Sequence, residues 1–566
     1  MAIQLSPGVN VSEIDLTTVV PSVLTTAGAF AGYFTWGPAQ KLILVDSEIT
    51  LSKRFGDPDS NSAVSFFTAA NFLAYGNNLT VVRAVGANSF NADANTSGSN
   101  IQVANKDVFQ YSLLNGNNNN AYGAFMAKYP GALGNSLSVA VCANTNAFPT
   151  FSYSSYFTSA PSTSTYTSQL GGSNDELHIA VIDSGGLFSG TKGTVLETFP
   201  FVSKASDAVN LNDGSSNYYK QVVFNNSQYV FAVDPVDYAN THTVWGSTSA
   251  NTNFVSANTN YTLPLNGGTD DVGTDATLTN AYGLFTNKDL INISLVLTGG
   301  ADVTVQQYVI DNIANQRADC LAFLSPPQSA VVNQAGSETT NIQTWLTSLS
   351  RSTSYAVVDS GWKYQFDKYN NTYRWIPLNG DIAGLCVYTD SVRDPWWSPA
   401  GVNRGAIKNV VRLAWNPAKT YRDVLYSAGV NPVVSLQGQG TILYGDKTLQ
   451  NKPSAFDRIN VRRLFIVLEK AISAAAQASL FEFNDAFTQA QFVALVTPFL
   501  RDVQGRRGIT DFRVVCNSTN NTAQVVDSNQ FVGDIYIKPA RSINYIQLNF
   551  VAVGTGVDFN TIVGTA

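Results

Sequence analysis

From Val23 to Val85 the spacing of apolar residues changes twice. AGAFAGYFTWGP is apolar until it reaches a Gly-Pro turn, which predicts a buried strand. In SAVSFFTAANFLAYG, Val64, Phe67, Ala70, Phe72 and Leu73 recur at helical spacing up to Gly76, and the run LTVVRAV that follows predicts a second buried strand. Strand, helix and strand at this spacing make a β–α–β unit. The alternation returns after Ala281, where NISLVLTGG, QQYVIDNIANQRADCLAFLSPP and NIQTWLTSL predict strand, helix, strand and helix in an α/β layer.

The strongest helix lies in FDRINVRRLFIVLEKAISAAAQASLFEF. Val461, Leu464, Phe465, Leu468 and Ile472 form one apolar stripe at about 100° per residue. Arg458, Arg462 and Glu469 fall on one border of the stripe, and Arg463 and Lys470 on the far side, where solvent is expected. A second helix, TQAQFVALVTPFLRDVQ, precedes the basic turn GRRG.

Both ends of the chain alternate in the manner of strands. Near the start, Val9 and Val11 alternate with polar neighbours, the phase slips, and Ile14 and Leu16 alternate again, between Pro7-Gly8 and Pro21-Ser22. Near the end, Ile546, Leu548 and Phe550 alternate with Tyr545, Gln547 and Asn549. A strand without a neighbour presents unpaired N–H and C=O groups, which the edge of another subunit's sheet can satisfy. The two segments read as arms.

Composition sharpens this picture. A chain of 566 residues has room for about four domains. Only 13% of residues are charged, about half the usual share, so the surface is polar but largely uncharged, as in proteins that pack against copies of themselves. No charged residue occurs between Lys128 and Asp175, and Asn, Gly, Ser and Thr stay dense to Gly273, which predicts β-rich, loop-rich insertions. The net charge of −7 is uneven: Arg404 to Lys470 holds eleven Lys or Arg against four acids, a net of +7 that leaves −14 elsewhere. Such asymmetry suits head-to-tail contacts between copies or an acidic partner. Nucleic acid fits less well, because the cations are spaced singly and no binding motif frames them.

The start lacks a basic stretch followed by an apolar run, and no stretch of about 18 apolar residues occurs, so a soluble product made in the cytoplasm is expected. Cys142, Cys320, Cys386 and Cys516 are far apart and point to neither a zinc site nor a disulfide framework. Phosphate-loop, dinucleotide, zinc-protease and serine-hydrolase motifs are absent. The two histidines, His178 and His242, stand in the loop-rich middle and read as structural. The pairs Asp57 with Asp59 and Asp270 with Asp271 read as turn residues rather than metal ligands. No enzyme activity, catalytic residue, cofactor or metal is expected.

Several landmarks, in order, resemble the tail sheath protein family of contractile-tailed bacteriophages. They are PGVNVSEID, YFTWGPAQKLILVDSEITLSKRFGDP, NFLAYGNNLTVVRAV and YPGALGNSLSVAV, then AGVNPVVSLQGQGTILYGDKTL, INVRRLFIVLEKAI, FEFND and GDIYIKPARSINYIQLNF. The resemblance covers the first 90 residues or so and the last 170 or so, is moderate over 281–400, and fades over about 100–270, where the family carries variable outer insertions. It implies a mixed α/β, α+β multidomain fold: a sheath-type core built from N- and C-terminal parts, β-rich outward insertions and extended terminal β-arms. The expected divisions are an arm at 1–20, a first α/β part at 21–95, outer insertions at 96–275, more α/β at 276–400, an inner C-terminal domain at 401–542 and a second arm at 543–566. The resemblance further implies a subunit that polymerises, as stacked hexameric rings, around a tail tube and contracts to drive the tube through the host envelope, without nucleotide hydrolysis. Its partners would be further copies, the tube, the baseplate and the tail terminator, with no direct nucleic acid contact or membrane insertion. Its place would be the virion, after assembly in the host cytoplasm. On this reading Val9, Val11, Ile14, Leu16, Ile546, Leu548 and Phe550 link neighbouring copies, the alternative being strands that complete a sheet of their own subunit, and Arg463 and Lys470 face the tube, the alternative being that they bond a neighbouring loop or face solvent. A different viral structural protein (tube, capsid or fibre component) or a polysaccharide-degrading tail enzyme are the alternatives.

Overall fold

The computed structural model describes residues 23–95, 98–114, 118–254, 259–544 and 547. The chain divides into two compact units, Met1–Phe481 and Glu482–Ala566.

The first unit is organised by a seven-stranded sheet. Its strands are β1 (Gly28–Tyr33), β2 (Ile43–Val45), β3 (Leu79–Ala84), β10 (Leu295–Leu297), β11 (Leu321–Leu324), β12 (Ala356–Asp359) and β16 (Val430–Asn431). They lie in the order β16-β12-β11-β10-β1-β3-β2. All neighbours are parallel except β2, which runs antiparallel to β3. A parallel sheet of this kind is covered on both faces, and the alternation of side chains along β1 shows how. Phe30 joins a cluster with Phe72, Ile382 and Ile466, whereas Ala29 and Ala31 join another with Tyr282, Val305 and Ile310. The predicted helix is Ala63–Leu73, which packs against the helix Asn379–Val392. It is apolar on nearly every side because it is a buried layer rather than a surface helix.

Between β3 and β10 the chain leaves this sheet and builds a separate core. A four-stranded antiparallel sheet runs β7-β6-β5-β9, from β5 (Leu137–Cys142), β6 (Glu176–Asp183), β7 (Thr194–Ser203) and β9 (Tyr261–Pro264). β4 (Phe125–Ala127) pairs with β8 (Val230–Ala232) beside it. The outgoing and returning chains lie side by side, with Asp93 and Asn266 exchanging backbone hydrogen bonds of 2.9 and 2.8 Å. Arg83, at the end of β3, is buried and donates to the carbonyls of Phe34, Gly37 and Pro130 at 2.8 Å each, which fastens the insertion to the sheet.

Residues 401–481 belong to the first compact unit. β16 completes the seven-stranded sheet, and the helix Ile459–Ala476 contributes Ile459 and Ile466 to the cluster beneath it. A further antiparallel sheet, β14-β13-β15, comes from β13 (Trp362–Asp367), β14 (Thr372–Pro377) and β15 (Arg412–Leu413). β17 (Val433–Leu436) and β18 (Gly440–Leu443) form a hairpin of their own.

The second unit, taken by itself, holds the helix Ala486–Gly505 and two strands, β19 (Ile509–Val515) and β20 (Asp534–Pro539). Asp485 caps the helix, accepting from the Thr488 N–H at 2.9 Å. Among the described residues, no helix is long and apolar enough to cross a membrane.

The end of β12 holds a carboxyl that is buried without a cation. The Asp359 Oδ2 accepts from Ser325 Oγ at 2.6 Å and its Oδ1 from the Gly361 N–H at 2.8 Å. Burial is the main cause that pushes its pKa up to about 8; the two hydrogen bonds oppose this and the charge of Asp381 adds to it. An unfolded Asp titrates near about 3.9. The folded state therefore binds the proton more tightly, and stability from this group is full below about 4 and lost as pH rises toward about 8. Urea midpoints of the wild type are accordingly expected to fall relative to those of Asp359→Asn between about pH 5 and 8. A wild-type-to-variant difference that does not change with pH would show a carboxylate already ionised in the fold.

Candidate assembly site

The seven predicted arm residues, Val9, Val11, Ile14, Leu16, Ile546, Leu548 and Phe550, lie outside the described residues. The two predicted tube-facing cations are described, and neither sits on an open, solvent-side face. Arg463 is 4% exposed. Its Nη1 and Nη2 donate to the two oxygens of Asp390 at 2.8 and 2.6 Å, a fork-to-fork pair. The same carboxylate accepts from Thr25 Oγ1 at 2.7 Å, just before β1. Burial alone would depress the Arg463 guanidinium, but the facing carboxylate outweighs it and holds the pKa above its ordinary value.

Lys470 is half-buried, and its Nζ donates to the Ile293 carbonyl at 2.7 Å and to Asn292 Oδ1 at 3.0 Å, at the approach to β10. Burial pushes its ammonium pKa down. Arg463 therefore bolts the helix Ile459–Ala476 to the helix Asn379–Val392, and Lys470 bolts it to the approach to β10. The stripe itself is observed, since Val461, Leu464, Leu468 and Ile472 are buried and Phe465 packs edge-on against Phe456. The far side is covered as well, and a helix projection does not show a second covering layer.

The rest of the +7 segment is mixed: Lys408, Arg412, Lys419 and Lys452 are exposed, while other cations are tied into the fold. Arg462 is buried among the rings of Tyr355 and Phe456, 4.5 and 4.4 Å from their centroids. Lys408 donates to the Ala74 carbonyl at 2.6 Å, and Lys447 to that of Tyr426 at 2.7 Å. Arg458 lies between Asp446 and Asp457, at 3.3 and 3.5 Å.

The remaining sequence candidates fall where turn and core chemistry places them. His178 is buried, stacks on Phe157 and accepts from the Phe201 N–H at 3.1 Å. Asp59 receives the Asn61 and Ser62 N–H groups at 2.9 and 2.7 Å, and Asp271 receives those of Asn88 and Gly273 at 2.9 and 2.8 Å. The four cysteines are free and buried. Among the described residues, no group of three or more His, Cys, Asp or Glu is arranged to hold a metal ion.

A feature that the sequence reading passed over lies in the second unit. β19 and β20 form a two-stranded antiparallel ribbon, paired from Val515 with Asp534 to Ile509 with Pro539 and irregular between Ile509 and Asp511. Among the described residues of this unit, neither outer edge is paired with a further strand. An isolated two-stranded ribbon is marginal in water, and its free N–H and C=O groups are a template for added strands. The helix Ala486–Gly505 packs against β19, so the ribbon is held from one side while its edges stay open.

Comparison with known proteins decides the family. The model of the phage tail sheath protein central domain matches residues 300–449, and that of the phage tail sheath C-terminal domain matches 451–552. The tail sheath protein of Vibrio phage KVP40 is 36% identical, over 99% of this chain and 100% of its own length. The chain belongs to the phage tail sheath protein family. The tail sheath protein of Enterobacteria phage T4 is 32% identical, over 99% of both chains. The fold is shared more widely: a sheath of an extracellular contractile injection system, solved in the contracted state, superimposes with a TM-score of 0.51 at 12% identity, over 99% of this chain and 100% of the other. The chain is thus a contractile sheath subunit with a mixed α/β multidomain fold.

In this sheath protein, breaking the Arg463–Asp390 pair should destabilise the subunit. Removing one partner strands a buried charge, at a cost of about 3–5 kcal/mol, whereas replacing both with apolar groups is far milder. Urea unfolding of Arg463→Met is expected to show a loss of that size, and Arg463→Met with Asp390→Leu to recover most of it. Unchanged stability in Arg463→Met would mean that the guanidinium is solvated after all.

Proposed function

We propose that this subunit polymerises as hexameric rings, stacked helically around a tail tube, and that its terminal arms are the links of the array. The observation that carries the reading is the β19–β20 ribbon, whose edges are open among the described residues. The alternating segments around Val9, Val11, Ile14 and Leu16 and around Ile546, Leu548 and Phe550 have the strand pattern such edges accept, and in this reading they add to the ribbons of neighbouring copies. Main-chain hydrogen bonds then tether neighbours while the compact bodies rotate.

Contraction performs work, and the sequence carries no phosphate-binding loop, so the energy is held in the extended array and released as the subunits gain interface. On this reading the insertion between β3 and β10, which has a core of its own, lies on the outer surface and the C-terminal part nearer the tube. The subunit works in the virion as part of the tail, after assembly in the host cytoplasm. It meets the tube, baseplate and tail terminator, contacts neither nucleic acid nor membrane directly, and serves as a structural part rather than an enzyme.

Deleting residues 1–18 tests the arm. The truncated chain should stay folded, with stability changed by less than about 0.5 kcal/mol as for other changes outside a core, and should no longer form cylinders visible by electron microscopy. A large drop in melting temperature, or cylinders like those of the wild type, would refute the linkage.

A further inference from the structure

We propose that the outward face of the β13–β14 hairpin is a contact surface for a second copy of this chain, and that it receives the Glu482–Phe487 stretch of that copy. The inference rests on the reading that copies assemble side by side. Its starting point is a hairpin whose two faces are the reverse of the usual arrangement.

The polar residues of the hairpin point inward. Lys363, Gln365 and Asp367 alternate along β13, and all three are buried. Lys363 Nζ donates to Asp381 Oδ1 at 2.9 Å, Asn71 Nδ2 to Gln365 Oε1 at 2.9 Å, and Arg374 Nε to Asp367 Oδ2 at 2.7 Å. The register places Tyr364 opposite Trp375 and Phe366 opposite Tyr373 on the other face, so that face is aromatic. Tyr364 lies 5.4 Å from Tyr373 and 4.7 Å from Trp375, and Phe366 lies 5.1 Å from Tyr373, centroid to centroid. Phe366 is 43% exposed and Tyr373 49%. A ladder of rings in water beside a buried polar face is the composition of an interface core.

Arg412, opposite Tyr364 on β15, lies over this ladder, 5.0 Å from the Tyr364 centroid and 5.2 Å from that of Trp375. It is exposed, and among the described residues no carboxylate lies within 4.0 Å of it. A guanidinium on a shelf of rings is complementary to a segment that brings both rings and carboxylates. The surface is also rigid. The hairpin turn is pinned by Tyr369, which packs edge-on against Phe66 at 5.3 Å and donates to Glu48 Oε1 at 3.1 Å. Little ordering is then needed on binding.

The start of the second unit has the matching chemistry. In EFNDAF, Phe483 and Phe487 are 86% and 75% exposed, and the acids Glu482 and Asp485 alternate with them. Asp485 is engaged in capping the following helix, which leaves Glu482 as the carboxylate for Arg412.

The test is a charge swap read by electron microscopy and sedimentation, with circular dichroism as the check on folding. Arg412→Glu and Glu482→Arg should each raise the concentration needed for cylinders by about tenfold or more, since like charges then face each other, and the double variant should restore it. Wild-type-like assembly of Arg412→Glu, or no rescue in the folded double variant, would overturn the proposal. So would a variant that forms cylinders alone but fails to coat purified tubes, which would give the face to the tube. Cysteine pairing is an independent readout, because the native cysteines are buried. A chain carrying Phe366→Cys and Phe483→Cys should give a ladder of cross-linked multimers when oxidised in the assembled state, and cylinders without a ladder would refute the contact. Failure of the wild type itself to form cylinders would instead remove the assembly reading.

Discussion

Strand β1 is hydrogen-bonded along both edges and covered on both faces, and most of the structure follows from keeping it so. Its neighbours β3 and β10 are parallel to it, and parallel pairing demands long crossovers. The crossover from β3 to β10 has been extended into a whole β-rich body, which the sheet tolerates because the chain leaves and returns at adjacent points near Asp93 and Asn266. Arg83 holds that junction through carbonyls alone, so a full charge is buried without an acid in hydrogen-bond contact. Burial lowers its pKa to about 10, which still leaves it charged near neutrality.

The small number of charges has a related explanation. Much of the cationic segment Arg404–Lys470 is internal framework: Arg463, Arg462 and Lys470 attach one long helix to the layers around it. A charge count along the sequence therefore overstates what the surface offers to a partner. What the surface offers includes aromatic rings on the β13–β14 face and, among the described residues, edges of the β19–β20 ribbon that no further strand covers. Both are surfaces that suit a subunit whose contacts are formed by other copies.

Full-length similarity to tail sheath proteins and a two-unit architecture are compatible with large rearrangement of the assembly and little change within each body. The first unit is locked by buried pairs and by crossovers that cannot slide without exposing β1. On the proposed mode of assembly, change on contraction falls to contacts between copies, where exposed charges and rings can part and re-pair at small individual cost.

The sequence by itself determined the alternation of strands and helices around 28–84 and 295–349, the helix Ile459–Ala476, the β-rich middle and the order of landmarks that reveals the family. Each is written in local spacing or in order along the chain. It could not show that the face carrying Arg463 and Lys470 meets Asp390 and residues 292–294, because those contacts join positions 73 and about 177 residues apart. Nor could it show that 401–480 packs with the first unit, or that β13 buries Lys363, Gln365 and Asp367 and exposes its rings. Alternation tells that a strand has two unlike faces, but which face is dry depends on the partners that the fold brings to it. Here Asn71 and Asp381 come from other elements and Arg374 of the facing strand joins them, so the polar face is buried. Only tertiary structure could decide that, because burying a polar face is favourable only where distant residues supply its hydrogen bonds.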